Sequence, residues 1–312
     1  MTFTSGLAKL GLTAVLMLGT GGCLKAVLLK GQIKGTRDGS GAVNTLHDYE
    51  VARAAAFAGI AQIEGMHKLA PENTDALFML TRAWSGVGFG FIEDEYELAY
   101  ERGDELQAEY HLLRARAAFE RGRFYGIELL GHQDPSGGFE AARRNDSTIR
   151  AWLKEYYTEP EQAEELLWVG YAWIGHVSQS KDVPEIVGEL YVGAAMIERS
   201  VELDETVVYA TGHTILGAYH ARTAQAELDE SKKHFDRALE LNGGKFLATK
   251  LNLAKSYYCQ KGDREAYERT LNEVLAAGDV LPEARLQNTI AKRRARRYLG
   301  NKIWQDECGF QK

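Results

Sequence analysis

Apolar and polar positions alternate along most of the chain with the period of an α-helix. From His47 onward, small and apolar residues such as Ala52, Ala56 and Ile60 recur at spacings of three and four. We find no convincing run with the period of two that indicates a strand. Asp263, after a glycine, predicts a helix N-cap. The pattern predicts an all-α protein whose helices change direction at the prolines, which are Pro71, Pro135, Pro160, Pro184 and Pro282.

Internal repeats organise the second half of this helical pattern. Segment 197–204 aligns with segment 235–242, and weaker copies start at Ile63 and Leu271. The copies lie slightly further apart than the roughly 34 residues of a tetratricopeptide repeat. In such repeats, the first helix carries a large apolar residue, a small residue and, three positions later, an aromatic residue. Similar groups occur at Leu80-Thr81 with Trp84, Val169-Gly170 with Trp173, Leu216-Gly217 with His220, and Leu253-Ala254 with Tyr257.

These groups predict stacked helical hairpins, which form a degenerate tetratricopeptide-like α-solenoid over residues 46–312. The small residue lets two helices approach, and the aromatic ring fills the groove beside it. The alternative is an ordinary helical bundle in which the similarity arises by chance.

The N-terminus has the pattern of an export signal. Lys9 precedes the apolar run Leu10–Leu18, which is too short to cross a bilayer as a helix. The next residues, Thr20-Gly21-Gly22-Cys23, resemble a bacterial lipobox, although Thr20 stands where Leu is usual. We therefore predict a lipoprotein signal peptide over residues 1–22, cleavage between Gly22 and Cys23, and lipidation of Cys23. The alternative is an ordinary secretion signal with an incidental cysteine.

Residues 23–45 are rich in glycine and have little periodicity, which predicts a flexible linker behind the lipidated cysteine. An acylated cysteine can hold a protein on a membrane without a spanning helix. The expected location is the periplasmic face of the cell envelope. Leu24 favours the outer membrane, because Asp at that position would favour retention in the inner one.

Composition narrows the classes of function. The net charge is −7 and the pI is near 5.7, which argues against nucleic acid as a partner. An apolar fraction of 45% argues against extensive disorder. Three cysteines are too few for a disulfide framework. For Cys259 and Cys308 two interpretations stay open: a disulfide formed outside the cytosol, or simple burial of Cys259.

Candidate chemistry is sparse, and we predict neither an enzyme nor a cofactor or metal site. His213 and His220 could share a helix face, but they lack a third ligand, and core packing is the better interpretation of His220. Segment 86–90 is rich in glycine and lacks the Lys-Ser/Thr of a phosphate loop. It favours close helix packing or a ligand surface. Candidates for a surface that binds a ligand or partner are Trp84, Phe89, Phe91 and Trp173.

Two charged runs have several interpretations. Glu93-Asp94-Glu95 could supply paired acids for glycoside cleavage, but a solvated helix start is far more common. The basic run 292–297 favours a solvated helix face, with anionic lipid and an acidic partner as alternatives.

Several segments, taken in order, resemble the T component of TRAP transporters, the TatT lipoproteins. One is Gly170-Tyr171-Ala172-Trp173-Ile174-Gly175. The others are residues 47–55, 180–185, 233–241, 282–288 and 291–295. The resemblance covers most of residues 40–300. It implies a noncatalytic periplasmic lipoprotein with cryptic tetratricopeptide repeats, whose partner is the solute-binding protein of a TRAP transporter and which helps to deliver a ligand.

Two other functions compete with this interpretation. A tetratricopeptide lipoprotein could be a general scaffold for envelope assembly. A helical solenoid could also act on the cell wall, in which case Glu93, Asp94 or Glu95 would be essential. The sequence leaves open the transported ligand, the face that binds the partner, and self-association into a homo-oligomer.

Overall fold

The computed structural model describes residues 25–222 and 226–310. The predicted signal peptide, with Gly22 and the lipidated Cys23, lies outside these residues. The described part of the chain contains helices and no strand, which confirms the all-α prediction. The first half contains α1 (25–39), α2 (Tyr49–Leu69), α3 (Thr74–Val87), α4 (Glu93–Glu101), α5 (Glu105–Gly131), α6 (Phe139–Ala142), α7 (Asp146–Tyr156) and α8 (Ala163–Ser178).

The second half continues the same succession of helices. Its members are α9 (Pro184–Val187), α10 (Leu190–Leu203), α11 (Val207–Arg222), α12 (Leu228–Asn242), α13 (Leu247–Asn252), α14 (Cys259–Lys261), α15 (Arg264–Ala276), α16 (Arg285–Gly300) and α17 (Lys302–Glu307). Short 3-10 turns cover Ser40–Thr45, Pro160–Gln162 and Pro282–Ala284, and π-helical turns cover Gly88–Ile92 and Leu253–Tyr258.

Residues 25–45 are packed against the body, unlike the flexible linker that their glycines predict. They form α1 and the 3-10 turn Ser40–Thr45. Ile33 is fully buried in the core. The guanidinium of Arg37 pairs with Asp75 and lies 4.1 Å from the centre of the Phe78 ring. Nothing lies within 4 Å of a Cβ added at Gly31 or Gly35, so neither glycine belongs to the buried side of α1.

Consecutive helices pair through small residues, as the repeat pattern predicts. Helix α8 packs on α10, and α11 packs on α12. A Cβ at Gly170 would lie 2.9 Å from Ile197, and one at Gly217 would lie 2.8 Å from the ring of Phe235. These glycines let the helix axes approach more closely than any side chain would permit.

Helix termini carry the expected caps. The carboxylate of Asp263 accepts a hydrogen bond from the backbone N–H of Ala266, which confirms the predicted N-cap of α15. Pro160 and Pro184 each occupy the first turn of a helical segment. The start of α11 is irregular, because Val208, Tyr209 and Ala210 have φ of 48°, 60° and 60°.

The C-terminal segment is joined to the body by a disulfide between Cys259 and Cys308, with a Cα–Cα distance of 4.8 Å. This resolves the two interpretations in favour of the bridge. Next to it, Trp304 is buried against the rings of Tyr298 and Tyr100. The bridge fixes α17 beside α14.

The stack of helices closes on itself. Helix α16 returns to pack on α2 and on the 3-10 turn Ser40–Thr45. The amide of Gln287 donates a hydrogen bond to the side chain of Asn44 over 2.9 Å. Phe91, Ile60 and Ile290 form a shared apolar cluster at this junction. The two ends of the helical succession therefore meet at α2 and α16 and enclose a space between them.

Candidate functional site

A cavity of about 1850 Å³ occupies this enclosed space. It is larger than the roughly 300–1,000 Å³ typical of small-molecule sites. Its walls come from helices along the whole described part of the chain, from α1 to α17. The cavity reaches the surface beside Lys181, Asp182 and Glu307, which are exposed lining residues.

One wall of the cavity is aromatic. The ring of Tyr171 lies 6.0 Å from that of Phe89 and 6.2 Å from that of Phe119, in edge-to-face geometry. Trp168 contacts the same tyrosine ring at 5.8 Å. Burial raises the pKa of the Tyr171 hydroxyl well above its ordinary value, so this group stays neutral. The wall therefore offers a flat, uncharged surface to an apolar molecule.

The glycine-rich segment 86–90 shapes this wall. A Cβ at Gly88 would lie 3.2 Å from the Phe119 ring, and one at Gly90 would lie 3.2 Å from Ile290. The π-helical turn Gly88–Ile92 therefore packs closely against α5 and α16. It also presents Phe89 and Phe91 to the cavity. Close helix packing at this segment is therefore confirmed, and a ligand surface there stays a prediction.

The four aromatic residues singled out in the sequence do not converge. Phe89 and Phe91 line the cavity. Trp84 lies outside the cavity lining and donates its indole N–H to Glu64 over 3.0 Å. Trp173 is fully buried in the main core, with the guanidinium of Arg123 4.9 Å from its ring centre. The two tryptophans occupy the groove position of their helical pairs, where an aromatic ring packs between helices.

The acidic and basic runs, both interpreted as solvated, lie against each other in the interior. Asp94 and Glu97 of α4 are 1% and 4% exposed, and Arg294 and Arg297 of α16 are 2% and 7% exposed. The Arg297 guanidinium donates to the carboxylates of Asp94 and Glu97, each over 2.5 Å. Arg293 reaches the second oxygen of Asp94 over 2.7 Å.

The solvated interpretation of the two runs is therefore wrong for Asp94, Arg294 and Arg297, which are buried. Asp94 and Glu97 are three residues apart on α4, and Arg294 and Arg297 are three apart on α16. Each pair therefore lies on one helix face, and the two faces meet across the fold. Only Arg296 of the basic run is exposed. Because the carboxylates hold arginines, the network supports a structural role for this acidic cluster rather than glycoside cleavage.

Ionisation in this network follows from its charges. Burial alone would raise the pKa of Glu97, but the nearby Arg294, Lys255 and Arg297 lower it to about 2. Glu93 shows the opposite balance, because burial outweighs the attraction of Arg294 and raises its pKa. Burial raises the pKa of the Tyr298 hydroxyl well above its ordinary value. The hydrogen bond that this hydroxyl donates to Glu97 over 2.7 Å raises the same pKa further.

Comparison with known proteins gives one informative match. Residues 45–303 match the family described as the TRAP transporter T-component. The chain belongs to the TRAP transporter T-component family. No curated protein matches it. Membership confirms the resemblance noted in the sequence and assigns this chain an accessory role in TRAP transport.

In this T component, no helix of the described residues is long and apolar enough to span a bilayer. The cations Lys181, Arg222 and Lys255 are among the residues that line the cavity. Loss of solvent, together with the charges of Arg222 and Lys255, lowers the pKa of Lys181. No sequence pattern groups these residues, because they come from three separate parts of the chain.

The histidines of the T component form a small cluster between α11 and α12. His213 Nδ1 lies 2.8 Å from His234 Nδ1, and the rings of His220 and His234 stack at 5.5 Å. Glu205 and Glu227 contact His213 and His220 respectively. Within the described residues, no group of histidine, cysteine or acidic side chains is placed to hold a metal ion.

Helix α5 carries an apolar stripe on the outside of the T component. Leu106, Tyr110, Leu113 and Phe124 are all at least half exposed, and Leu106 reaches 79%. Their spacing places them along one face of the helix. We call these four residues the α5 stripe.

Proposed function

We propose that the chain is a noncatalytic, lipid-anchored T component. In this proposal it docks the periplasmic solute-binding protein of a TRAP transporter and passes it an apolar ligand. The observation that carries the proposal is the large, aromatic-walled cavity inside the closed helical body. Family membership supplies the link to TRAP transport.

The cavity supports ligand handling rather than catalysis. Its aromatic wall suits an apolar molecule, and the nearby carboxylates of Asp94 and Glu97 are occupied by arginines. An acid that acts on substrate would need a free carboxyl group with its proton directed at the reacting atom. The geometry thus favours a transport accessory over the cell-wall enzyme.

The α5 stripe is the proposed contact with the solute-binding protein. Leu106, Tyr110 and Leu113 lie on successive turns, and Glu120 and Arg121 separate them from Phe124. Exposed apolar surface of this kind often marks an interaction site. The stripe lies on α5, a helix of 27 residues that is firmly packed on α3, α4 and α8. A rigid helix presents such a surface to a partner with little loss of conformational freedom.

The test is binding of the cognate solute-binding protein to the full chain. We expect Leu106→Asp with Leu113→Asp to weaken binding at least about tenfold, because charged groups replace the apolar contact. Val51→Asp with Leu69→Asp, at exposed apolar positions of α2, is the matched control and should leave affinity unchanged. Equal effects of the two variants would place the contact elsewhere.

Absence of binding by the unaltered chain, with capture of outer-membrane assembly proteins alone, would contradict docking and favour the scaffold alternative. The anchor has its own test. Cys23→Ser should abolish metabolic labelling with palmitate and release the chain from membranes, whereas retention on membranes would refute lipid anchoring.

A further inference from the structure

Helix α1 is attached to the body of the protein along one side. Ile33 is fully buried in the main core, and Leu29 packs against the same core one turn earlier. One turn later, Arg37 pairs with Asp75. Residues four apart lie on the same face of a helix, so these three residues define the attached side of α1. Their contacts hold the helix in a fixed direction relative to the body.

The opposite side of α1 is apolar and uncovered. Val27 and Leu28 are 67% and 65% exposed. Gly31 and Gly35 follow Val27 at steps of four, and nothing lies within 4 Å of a Cβ added at either glycine. Because the glycines carry no side chain, a flat surface can approach the helix backbone closely here. We call Val27, Leu28, Gly31 and Gly35 the outer face of α1.

The charge of this segment is opposite in sign to that of the whole chain. Residues 25–37 contain four cations and no acid, whereas the whole chain has a net charge of −7. Lys25 and Lys30 are exposed, and neither forms an ion pair with any residue that the structure describes. Unpaired cations beside an exposed apolar face are typical of a helix that lies on an anionic membrane surface.

The predicted lipid anchor comes immediately before α1 in the sequence. Only Leu24 separates Cys23 from Lys25, where the described part of the helix begins. Two residues of chain span at most about 7 Å, and the headgroup region of one leaflet is about 5–7 Å thick. Val27 and Leu28 follow after a further rise of about 3–5 Å along the helix. An acyl chain on Cys23 would therefore bring both side chains to the level of the headgroups.

We propose that the outer face of α1 lies on the membrane surface. In this arrangement Val27 and Leu28 contact the headgroup region, and the amines of Lys25 and Lys30 bind anionic lipid phosphates. The proposal rests on the lipid anchor of the proposed function and adds a second contact with the membrane. An acyl anchor alone lets the body tilt about one point. A helix that contacts the core on one side and the bilayer on the other restricts this tilt.

Charge favours a lipid surface over a second copy of the chain as the occupant of this face. In a symmetric dimer, the same patch of each subunit meets its copy. Lys25 and Lys30 would then face their own equivalents, and like charges repel each other. Anionic phosphates instead complement both amines.

The experiment places an environment-sensitive fluorescent label on α1 of the lipidated full chain. Gly31→Cys provides the attachment site, because an added side chain meets nothing there. Cys23 carries the lipid and Cys259 is bonded to Cys308, so the new thiol takes the label. Gly65→Cys, at an equally open and exposed position of α2, is the control site. Vesicles contain phosphatidylcholine alone or mixed with phosphatidylglycerol.

We expect the label at residue 31 to emit at shorter wavelength on the anionic vesicles than on the neutral ones. The label at residue 65 should emit as in water on both. The shift reports that the outer face has left water for the headgroup region. Mass spectrometry verifies that each chain carries its lipid, and circular dichroism verifies its fold.

Variants separate the two contributions to this contact. Lys25→Gln with Lys30→Gln removes the cations, and Val27→Ser with Leu28→Ser removes the apolar contact. Each pair should diminish the shift at residue 31 while the acyl chain keeps the protein on the vesicles. Lys154→Gln with Arg296→Gln removes two exposed cations of other helices and should leave the shift unchanged.

The outcomes distinguish this proposal from the anchor itself. If the chain is on the vesicles but the labels at residues 31 and 65 emit alike, membrane contact by α1 is refuted and the anchor stands. A shift that is equal on neutral vesicles, or that depends on protein density rather than on lipid charge, would also overturn the proposal, the latter in favour of a second copy. If the lipidated chain does not bind vesicles, the anchor fails and the contact fails with it.

Discussion

Arg297 is the residue on which the buried charge network depends most. Its guanidinium bridges Asp94 and Glu97, both almost completely buried. We expect Arg297→Ala to lower the free energy of unfolding by about 3 kcal/mol, because it leaves buried carboxylates without their cation. Urea denaturation measures this loss.

Arg296 provides the control for that experiment. It belongs to the same basic run but is exposed and forms no ion pair in the described residues. Arg296→Ala should change stability by less than about 0.5 kcal/mol. Equal losses for the two variants would show that the network adds nothing specific.

Glu97 makes the stability of the fold depend on pH. Its ordinary pKa is 4.5, and burial, which would raise this pKa, is outweighed by Arg294, Lys255 and Arg297, which lower it to about 2. The folded state therefore gains stability from ionised Glu97 above pH 4.5, and this gain disappears as the pH falls towards 2.

Glu97→Gln should be less stable than the unaltered protein at neutral pH. The difference between the two should shrink as the pH falls from 4.5 towards 2, because protonation removes the same charge from the unaltered protein. Thermal unfolding at a series of pH values measures this, and a constant difference would contradict the assignment.

At the scale of elements, helices pair where a glycine of one meets a buried side chain of the next. A Cβ at Gly217 of α11 would lie 2.8 Å from the buried ring of Phe235 on α12. We expect Gly217→Ala to destabilise the fold by about 1–3 kcal/mol, because the helices must separate or the ring must move. Calorimetric unfolding gives the value.

Gly65 in α2 is the matched position, because nothing lies within 4 Å of its added Cβ. Gly65→Ala should stabilise the protein by up to about 1 kcal/mol through helix propensity alone. Destabilisation by both substitutions would argue against the close-contact explanation.

The helices themselves could be predicted from the sequence, because each one is encoded locally. The period of the apolar residues, the cap at Asp263 and the prolines 160 and 184 all act within a few residues. The small residues Gly170 and Gly217 also indicated which faces pair. Local rules failed at residues 25–39, where Ile33 is buried by a distant part of the chain.

The candidate site was less predictable, because it depends on contacts between distant segments. Phe89 and Phe91 were identified as a surface, but nothing local distinguishes them from Trp84 and Trp173, which belong to the core. A usable signal lay in the opposite charges of α4 and α16, each arranged along one helix face. When one helix carries acidic residues along a face and another helix carries basic residues along a face, the two helices are candidates to pack against each other.

At the scale of the whole molecule, a disulfide joins Cys259 and Cys308, which are 49 positions apart in the sequence, and so closes a long loop. We expect its reduction to lower the stability of the C-terminal segment by roughly 3–4 kcal/mol, because the unfolded chain regains freedom. Unfolding with and without a reductant measures this, and Cys308→Ser should behave like the reduced protein. A reductant that lowers the stability of Cys308→Ser would indicate a second target.

The contact between α4 and α16 also determines at which point in synthesis the protein can complete its folding. A ribosome makes Asp94 and Glu97 about two hundred residues before Arg294 and Arg297. Until α16 has been synthesised, Asp94 and Glu97 have no arginine partners and must stay hydrated. The N-terminal half therefore cannot complete its buried core alone. Polypeptides cut short before Arg285 would lack every arginine of the network and should be substrates for proteolytic quality control.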